Sequence, residues 1–245
     1  MKTTDNSATG QPVAIVTGAS SGIGLGVAQS LLEHDYRVVA TSRTITKSKD
    51  LRSSDKLVLV DGDSGKKETA VQVVEAAISH FGRIDLLVNN AGIFVPKPFT
   101  DYTEEDFANM VATNVASYFF MSQQVIPQMK KQKSGHIVNI ATTLAEHPSA
   151  GMALQVLTKS TMPAVGRALA LEFAADNIRI NTISPGVIDT PMHARDDHET
   201  LKKFHPIQRL GRISEIVDAI LYLTSATFVT GENLKVDGGA HAGKW

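Results

Sequence analysis

The stretch Thr17-Gly18-Ala19-Ser20-Ser21-Gly22-Ile23-Gly24 decides how this chain is read. It follows an apolar run, Val13 to Val16, and opens a segment in which Ile23, Val27 and Leu31 recur every fourth residue beside Ala28 and Leu32. An apolar run, a cluster of glycines and then a helical period predict a strand, a tight turn and a helix. Gly18 turns sharply because it lacks a Cβ, Gly22 lets the backbone approach a pyrophosphate, and Gly24 lets the helix pack closely on the strand. The N-terminus of that helix then faces the anion. Gly18, Ser20, Ser21, Gly22, Ile23 and Gly24 are accordingly the expected phosphate cradle.

The same alternation continues outward. Arg37 to Thr41, Leu57 to Val60, Ile84 to Val88, His136 to Ile140, Ile178 to Ile183 and Asn233 to Val236 read as further strands. Thr69 to Phe81, Glu104 to Met129, Thr158 to Ala175 and Ser214 to Thr224 read as helices. Mostly continuous apolar strands separated by helices imply an α/β fold: a parallel sheet covered by helices on both faces, doubly wound in the Rossmann manner. Residues 1–11 are polar and read as a flexible leader, leaving residues 12–245 as a single domain. Pro163, four residues after Lys159, either kinks its helix or marks where that helix effectively starts.

Bulk properties narrow the function. A formal charge of −1 with no long basic run gives no electrostatic reason to expect nucleic acid. No stretch approaches the roughly 20 apolar residues needed to cross a bilayer, so no membrane partner is expected. The chain has no cysteine, hence neither thiolate nucleophile nor disulfide, in keeping with a reducing, cytoplasmic setting. Its histidines are scattered without metal-ligand spacing, and no metal is expected.

From Val13 to Gly239 the chain resembles the short-chain dehydrogenase/reductase family. The resemblance rests on Thr-Gly-x-x-x-Gly-x-Gly at 17–24, Asn89-Asn90-Ala91-Gly92, Asn114, Asn139-Ile140, Pro185-Gly186 with Thr190, and Val236-Asp237-Gly238-Gly239. It implies a nicotinamide dinucleotide as cofactor, a small-molecule substrate and a homo-oligomer, either tetramer or dimer. It places Asp63 near the adenine, with Asp61 the competing candidate, and Asn90, followed by Ala91 and Gly92, beside the adenosine ribose. Thr190 would hold the nicotinamide carboxamide, with Pro185, Gly186 and Ile188 framing it.

An Asp or Glu just beyond the second strand would accept from both ribose hydroxyls and repel a 2′-phosphate. Ser42 stands there instead, followed by Arg43, with Lys47 and Lys49 nearby, which favours NADP over NAD. The family's catalytic set is Asn, Ser, Tyr and Lys. Asn114 matches the first and Lys159 the last; Thr142 stands for the serine, and Gln155 for the tyrosine. Thr142 keeps an O–H donor, whereas the Gln155 amide donates N–H bonds but does not ionise in the working range. No tyrosine occurs between Ala141 and Lys159, so no shift of alignment restores one. His147, His193, or Lys159 acting through water are the candidate replacement acids, and Tyr118 reads as core or subunit-contact material. The expected function is an NADP-dependent oxidoreductase that reduces a carbonyl or quinone-like compound at an altered site. The alternative is an NADP(H)-binding sensor with weak or no turnover.

Overall fold

Seven strands, β1 (Val13–Thr17), β2 (Arg37–Ser42), β3 (Leu57–Asp61), β4 (Leu86–Asn89), β5 (Gly135–Ile140), β6 (Ile178–Pro185) and β7 (Asn233–Val236), form one sheet. Their order is β3-β2-β1-β4-β5-β6-β7, and every neighbouring pair is parallel. The computed structural model describes residues 10–243, so nearly all of the leader expected at 1–11 lies outside the described residues.

The central strands β1, β2 and β4 are largely apolar on both sides because each side is covered. Ala14, Val16, Val38, Ala40 and Val88 pack under α1 (Gly22–Glu33) and α8 (Ile213–Ser225) through Val27, Leu31, Ile216 and Ile220. Their sequence neighbours Val13, Ile15, Val39 and Leu87 point the other way. They meet α2 (Lys67–Phe81), α4 (Ser117–Gln132) and α6 (Thr161–Phe173) through Val73, Met121, Val125 and Ala170. This is the doubly wound α/β sheet that the strand pattern predicts. Strand order reverses beside β1, and the crevice at the carboxyl ends of β1 and β4 is where such sheets bind ligands.

The long helical region read from Glu104 to Met129 is present, composed of α3 (Glu104–Val111), a π-turn over Ala112–Ala116, and α4. Thr103 and Asp106 form a reciprocal capping box that starts α3, while the π-turn carries the buried Asn114. The helix expected from Thr158 to Ala175 is instead two: α5 (Ala153–Lys159) and α6, separated at Ser160, with a short turn at Ala174–Asp176. Pro163 therefore sits in the first turn of α6, where its missing N–H would have had no helical partner anyway. The break comes after Lys159, so Gln155 and Lys159 stay together on one short helix. A last short helix, α7 (His198–Leu201), lies in the long connection between β6 and α8. No helix among the described residues is long and apolar enough to cross a membrane.

Candidate functional site

A cleft of about 1310 Å³ opens along the carboxyl ends of the strands, from Ser42 and Arg43 at one end to Met152 and Phe204 at the other. Gly18, Ser20, Ser21, Gly22 and Ile23 line its middle. Gly18 has φ of +65°, and a Cβ there would lie 2.9 Å from the Ala91 Cα. Gly24 lies just behind, where a Cβ would run into the Gly18 carbonyl oxygen and the Asn90 side chain. The sequence puts glycine where β1, α1 and the β4 loop converge because no larger residue fits. Ser21 precedes α1 in extended conformation without capping its amides, and no acidic residue occupies the first turn. Those N–H groups and the positive end of the helix dipole are left for an anion.

At the end of β2, Ser42 is buried with its Oγ unpartnered, while the neighbouring Arg43 is exposed. Both line the cleft, as does Asp63. Asp61, the competing candidate, does not; its carboxylate accepts from the Thr46 N–H at 2.8 Å and the Thr46 hydroxyl at 2.5 Å. Lys47 and Lys49 also lie off the cleft wall. Ala91 and Gly92 line it with Asn90, whose Nδ2 donates to the carbonyls of Thr17 and Gly18, at 2.9 and 3.2 Å. That side chain holds the glycine turn in shape as well as facing the cleft.

Pro185, Gly186, Ile188 and Thr190 line the cleft alongside Thr142, Gln155 and Lys159, and Thr190 lies against the cradle, where a Cβ on Gly22 would be 3.4 Å from its side chain. Thr142 Oγ1 accepts the Leu144 N–H at 3.3 Å, which leaves its own proton free to donate. Lys159 Nζ donates to the Ile140 carbonyl at 2.8 Å. Gln155 is 8% exposed, and its Oε1 is buried without a partner, so the amide presents its Nε2 edge to the cleft. Asn114 differs from the other three. It is fully buried and off the cleft wall, and its side chain bonds to the Ile93 N–H, the Ile93 carbonyl and Thr158 at 2.8, 3.0 and 3.1 Å. It pins the β4 loop to α5 and so positions the helix that carries Gln155 and Lys159.

None of the four tyrosines lines the cleft. Tyr118 packs with Ala141 and Met162, its hydroxyl 3.1 Å from Thr161 Oγ1. His147 and His193 both line the cleft; His147 is exposed, while His193 pairs with Asp196 at 2.8 Å and stands edge-on to Phe94. Burial lowers the Lys159 ammonium to about 8. Below about pH 8 the group is protonated whether the chain is folded or not, and the folded protein bears its full desolvation penalty. Between about pH 8 and 10.5 the unfolded chain keeps a proton the folded chain has lost, so stability rises with pH. Chemical denaturation of wild type and Lys159→Met should show it: the stability difference moves toward wild type by about 3 kcal/mol across that window. A difference that stays flat with pH would mean that Lys159 titrates normally.

Sequence reasoning missed His205 and the role of the chain's last turn. His205 is buried on the cleft wall, accepts the Val187 N–H at 2.9 Å through Nε2, and leaves Nδ1 unpartnered. Desolvation lowers its pKa and favours the neutral ring that this acceptor role requires. Asp237 accepts from the Thr143 hydroxyl and from the Gly239 and His241 N–H groups at 3.0, 3.1 and 3.0 Å. Burial alone would raise its carboxyl, but the His241 and Thr143 bonds outweigh it and hold the group below its ordinary value. Through this carboxylate the turn after β7 is tied to the exit of β5, and Ala240 and Gly243 complete the cleft wall. The motif Val236 to Gly239 was visible in the sequence, but its partner Thr143 lies 94 positions away.

Residues 18–241 match the family model described as Enoyl-(Acyl carrier protein) reductase. The chain is 34% identical to an acetoacetyl-CoA reductase of an Acinetobacter species, covering 94% of this chain and 98% of that protein. It is also 34% identical to a 3-oxoacyl-[acyl-carrier-protein] reductase of Vibrio cholerae, over 94% and 97%. Among solved structures, a Brucella melitensis 3-ketoacyl-(acyl-carrier-protein) reductase complexed with NADH aligns with a TM-score of 0.89 at 32% identity, covering 95% and 99% of the two chains. ElxO with NADP bound aligns with a TM-score of 0.87 at 28% identity, over 95% and 100%.

Proposed function

The chain belongs to the short-chain dehydrogenase/reductase family, and from that premise we propose that it is an NADP-dependent oxidoreductase reducing a carbonyl or quinone-like small molecule. The observation that carries this reading is that one cleft joins the uncapped α1 cradle to the donors of Thr142, Gln155 and Lys159. The residues fit a dinucleotide: a close-packed glycine turn, open helix amides, and the buried, unpartnered Ser42 Oγ beside the Arg43 guanidinium. When bound, the reduced nicotinamide supplies a hydride. The chain's own part is electrostatic. Thr142 Oγ–H and Gln155 Nε2–H donate to the substrate oxygen as charge develops there, and the Lys159 ammonium below them makes the site positive. Asn114 keeps α5 in register with the β4 loop. A homo-oligomer assembled in the cytoplasm belongs to the same proposal; exposed Phe107, Phe119, Leu171 and Phe228 supply apolar surface for it.

Preference for the 2′-phosphate is assigned to Arg43 and Ser42. Fluorescence titration of Arg43→Ala should show NADPH binding weakened about tenfold or more, the worth of a charge-assisted pair, with NADH binding little changed. Equal losses for the two nucleotides would remove Arg43 from the 2′-phosphate site, and no binding of either by wild type would overturn the proposal.

A further inference from the structure

The wall around the reacting oxygen holds donors of unequal kind. Thr142 offers a neutral hydroxyl, Gln155 a neutral amide N–H, and Lys159 an ammonium whose near contact is the Ile140 carbonyl. Gln155 lies where its amide nitrogen faces the cleft, and its other polar atom is sealed in the wall without a partner. Only the Lys159 ammonium carries a proton acidic enough to transfer, and it is buried against the Ile140 carbonyl, so the set stabilises an oxyanion well and delivers a proton to it poorly. The two demands separate according to substrate. A saturated ketone that accepts a hydride becomes a localised alkoxide, a strong base that must be protonated as it forms. A carbonyl conjugated to a C=C bond becomes a delocalised enolate, or a phenolate if the acceptor is a quinone, and such an anion persists on hydrogen bonds alone.

We infer that this site is specialised for conjugated acceptors, enones and quinones, and holds their hydride adducts as anions between Gln155 Nε2, Thr142 Oγ and Lys159. The inference rests on the oxidoreductase reading above and narrows its substrate class. In an enone, the β-carbon gains a hydride with its two electrons from a reduced nicotinamide, which is thereby oxidised. The C=C pair shifts to place negative charge on oxygen, and water protonates the α-carbon afterwards. No acidic side chain is needed at the oxygen. The cleft offers such ligands apolar contacts from Phe94, Leu144, Met152, Met192 and Phe204, set among polar residues that include His193, Asp196 and Lys203.

Two measurements test this. The first follows NADPH consumption with cyclohexanone, 2-cyclohexenone and 1,4-naphthoquinone, each corrected for the protein-free rate. The enone and the quinone are expected to turn over, with the saturated ketone at least about 100-fold slower, the usual worth of a missing acid. A ketone reduced as fast as the enone overturns the inference and leaves the oxidoreductase reading standing. The second uses 4-nitrophenol with the protein alone, at a pH just below the probe's own pKa. Binding is expected to increase the yellow phenolate absorbance, and Gln155→Leu or Thr142→Val to reduce phenolate affinity about tenfold. Bound probe that stays protonated overturns the oxyanion assignment. A stabilised phenolate with no NADPH consumption for any of the three acceptors overturns the oxidoreductase reading instead.

Discussion

Gln155→Tyr is expected to raise NADPH-dependent turnover of a saturated ketone by about 10²–10⁴-fold, the range a positioned general acid contributes. The geometry favours the gain. Position 155 lies one helical turn before Lys159 on α5, and the helix breaks only after Lys159, at Ser160. A phenol there shares a face with the buried ammonium, and that positive charge lowers its pKa toward the working range. The substitution also removes the Oε1 that is now buried without a partner, so no hydrogen bond is broken to introduce the ring. Steady-state rates across pH are the measurement: the variant should gain a limb that falls as the phenol loses its proton, beside the one both proteins share as Lys159 deprotonates near pH 8. Unchanged turnover in a variant with wild-type circular dichroism and nucleotide affinity would show that proton delivery at this position does not limit the reaction.

Gly24→Ala is expected to damage nucleotide binding more than any surface change. The added methyl meets the carbonyl oxygen of Gly18 and the Asn90 amide, and the first is main chain that cannot swing aside. Overpacking of this kind costs about 1–3 kcal/mol of stability. The atom displaced is part of the cradle itself, so NADPH affinity should fall at least about tenfold, or about 1.4 kcal/mol, in a titration of the folded fraction. Gly82→Ala is the control. Gly82 ends α2 with φ of +78°, but a Cβ there meets nothing within 4 Å. That variant should lose about 1 kcal/mol of stability from backbone strain and keep its nucleotide affinity. Equal affinity losses in both would mean that general destabilisation, rather than the cradle, sets binding.

The sheet was legible because its signals are local. Each strand is an apolar run and each helix an apolar period, so all seven strands fall within two residues of where the pattern puts them. What escaped was set by interactions outside the window. The π-turn at Ala112–Ala116 carries neither Gly nor Pro to mark it, and Asn114 within it bonds to the distant Ile93 and Thr158. The break at Ser160 was half visible, since Pro163 announced an interruption without locating it. His205 gave no sign at all. A lone histidine after two lysines reads as surface, and its burial depends on Gly186 leaving room, where a Cβ would come within 2.5 Å of the ring. The family resemblance groups Thr142, Gln155 and Lys159, and all three line the cleft; Asn114, grouped with them, lies off that lining.

The Asp237 carboxylate bonds to Thr143, which immediately follows the cleft residue Thr142. A ribosome delivers these two partners in sequence order, and Thr143 is made 94 residues before Asp237. Until the segment from Asp237 to Gly243 clears the exit tunnel, one wall of the cleft has no material to be built from. A nascent chain in which Asp237 to Gly243 is still inside the tunnel therefore lacks part of the cleft wall, although its glycine turn is already outside.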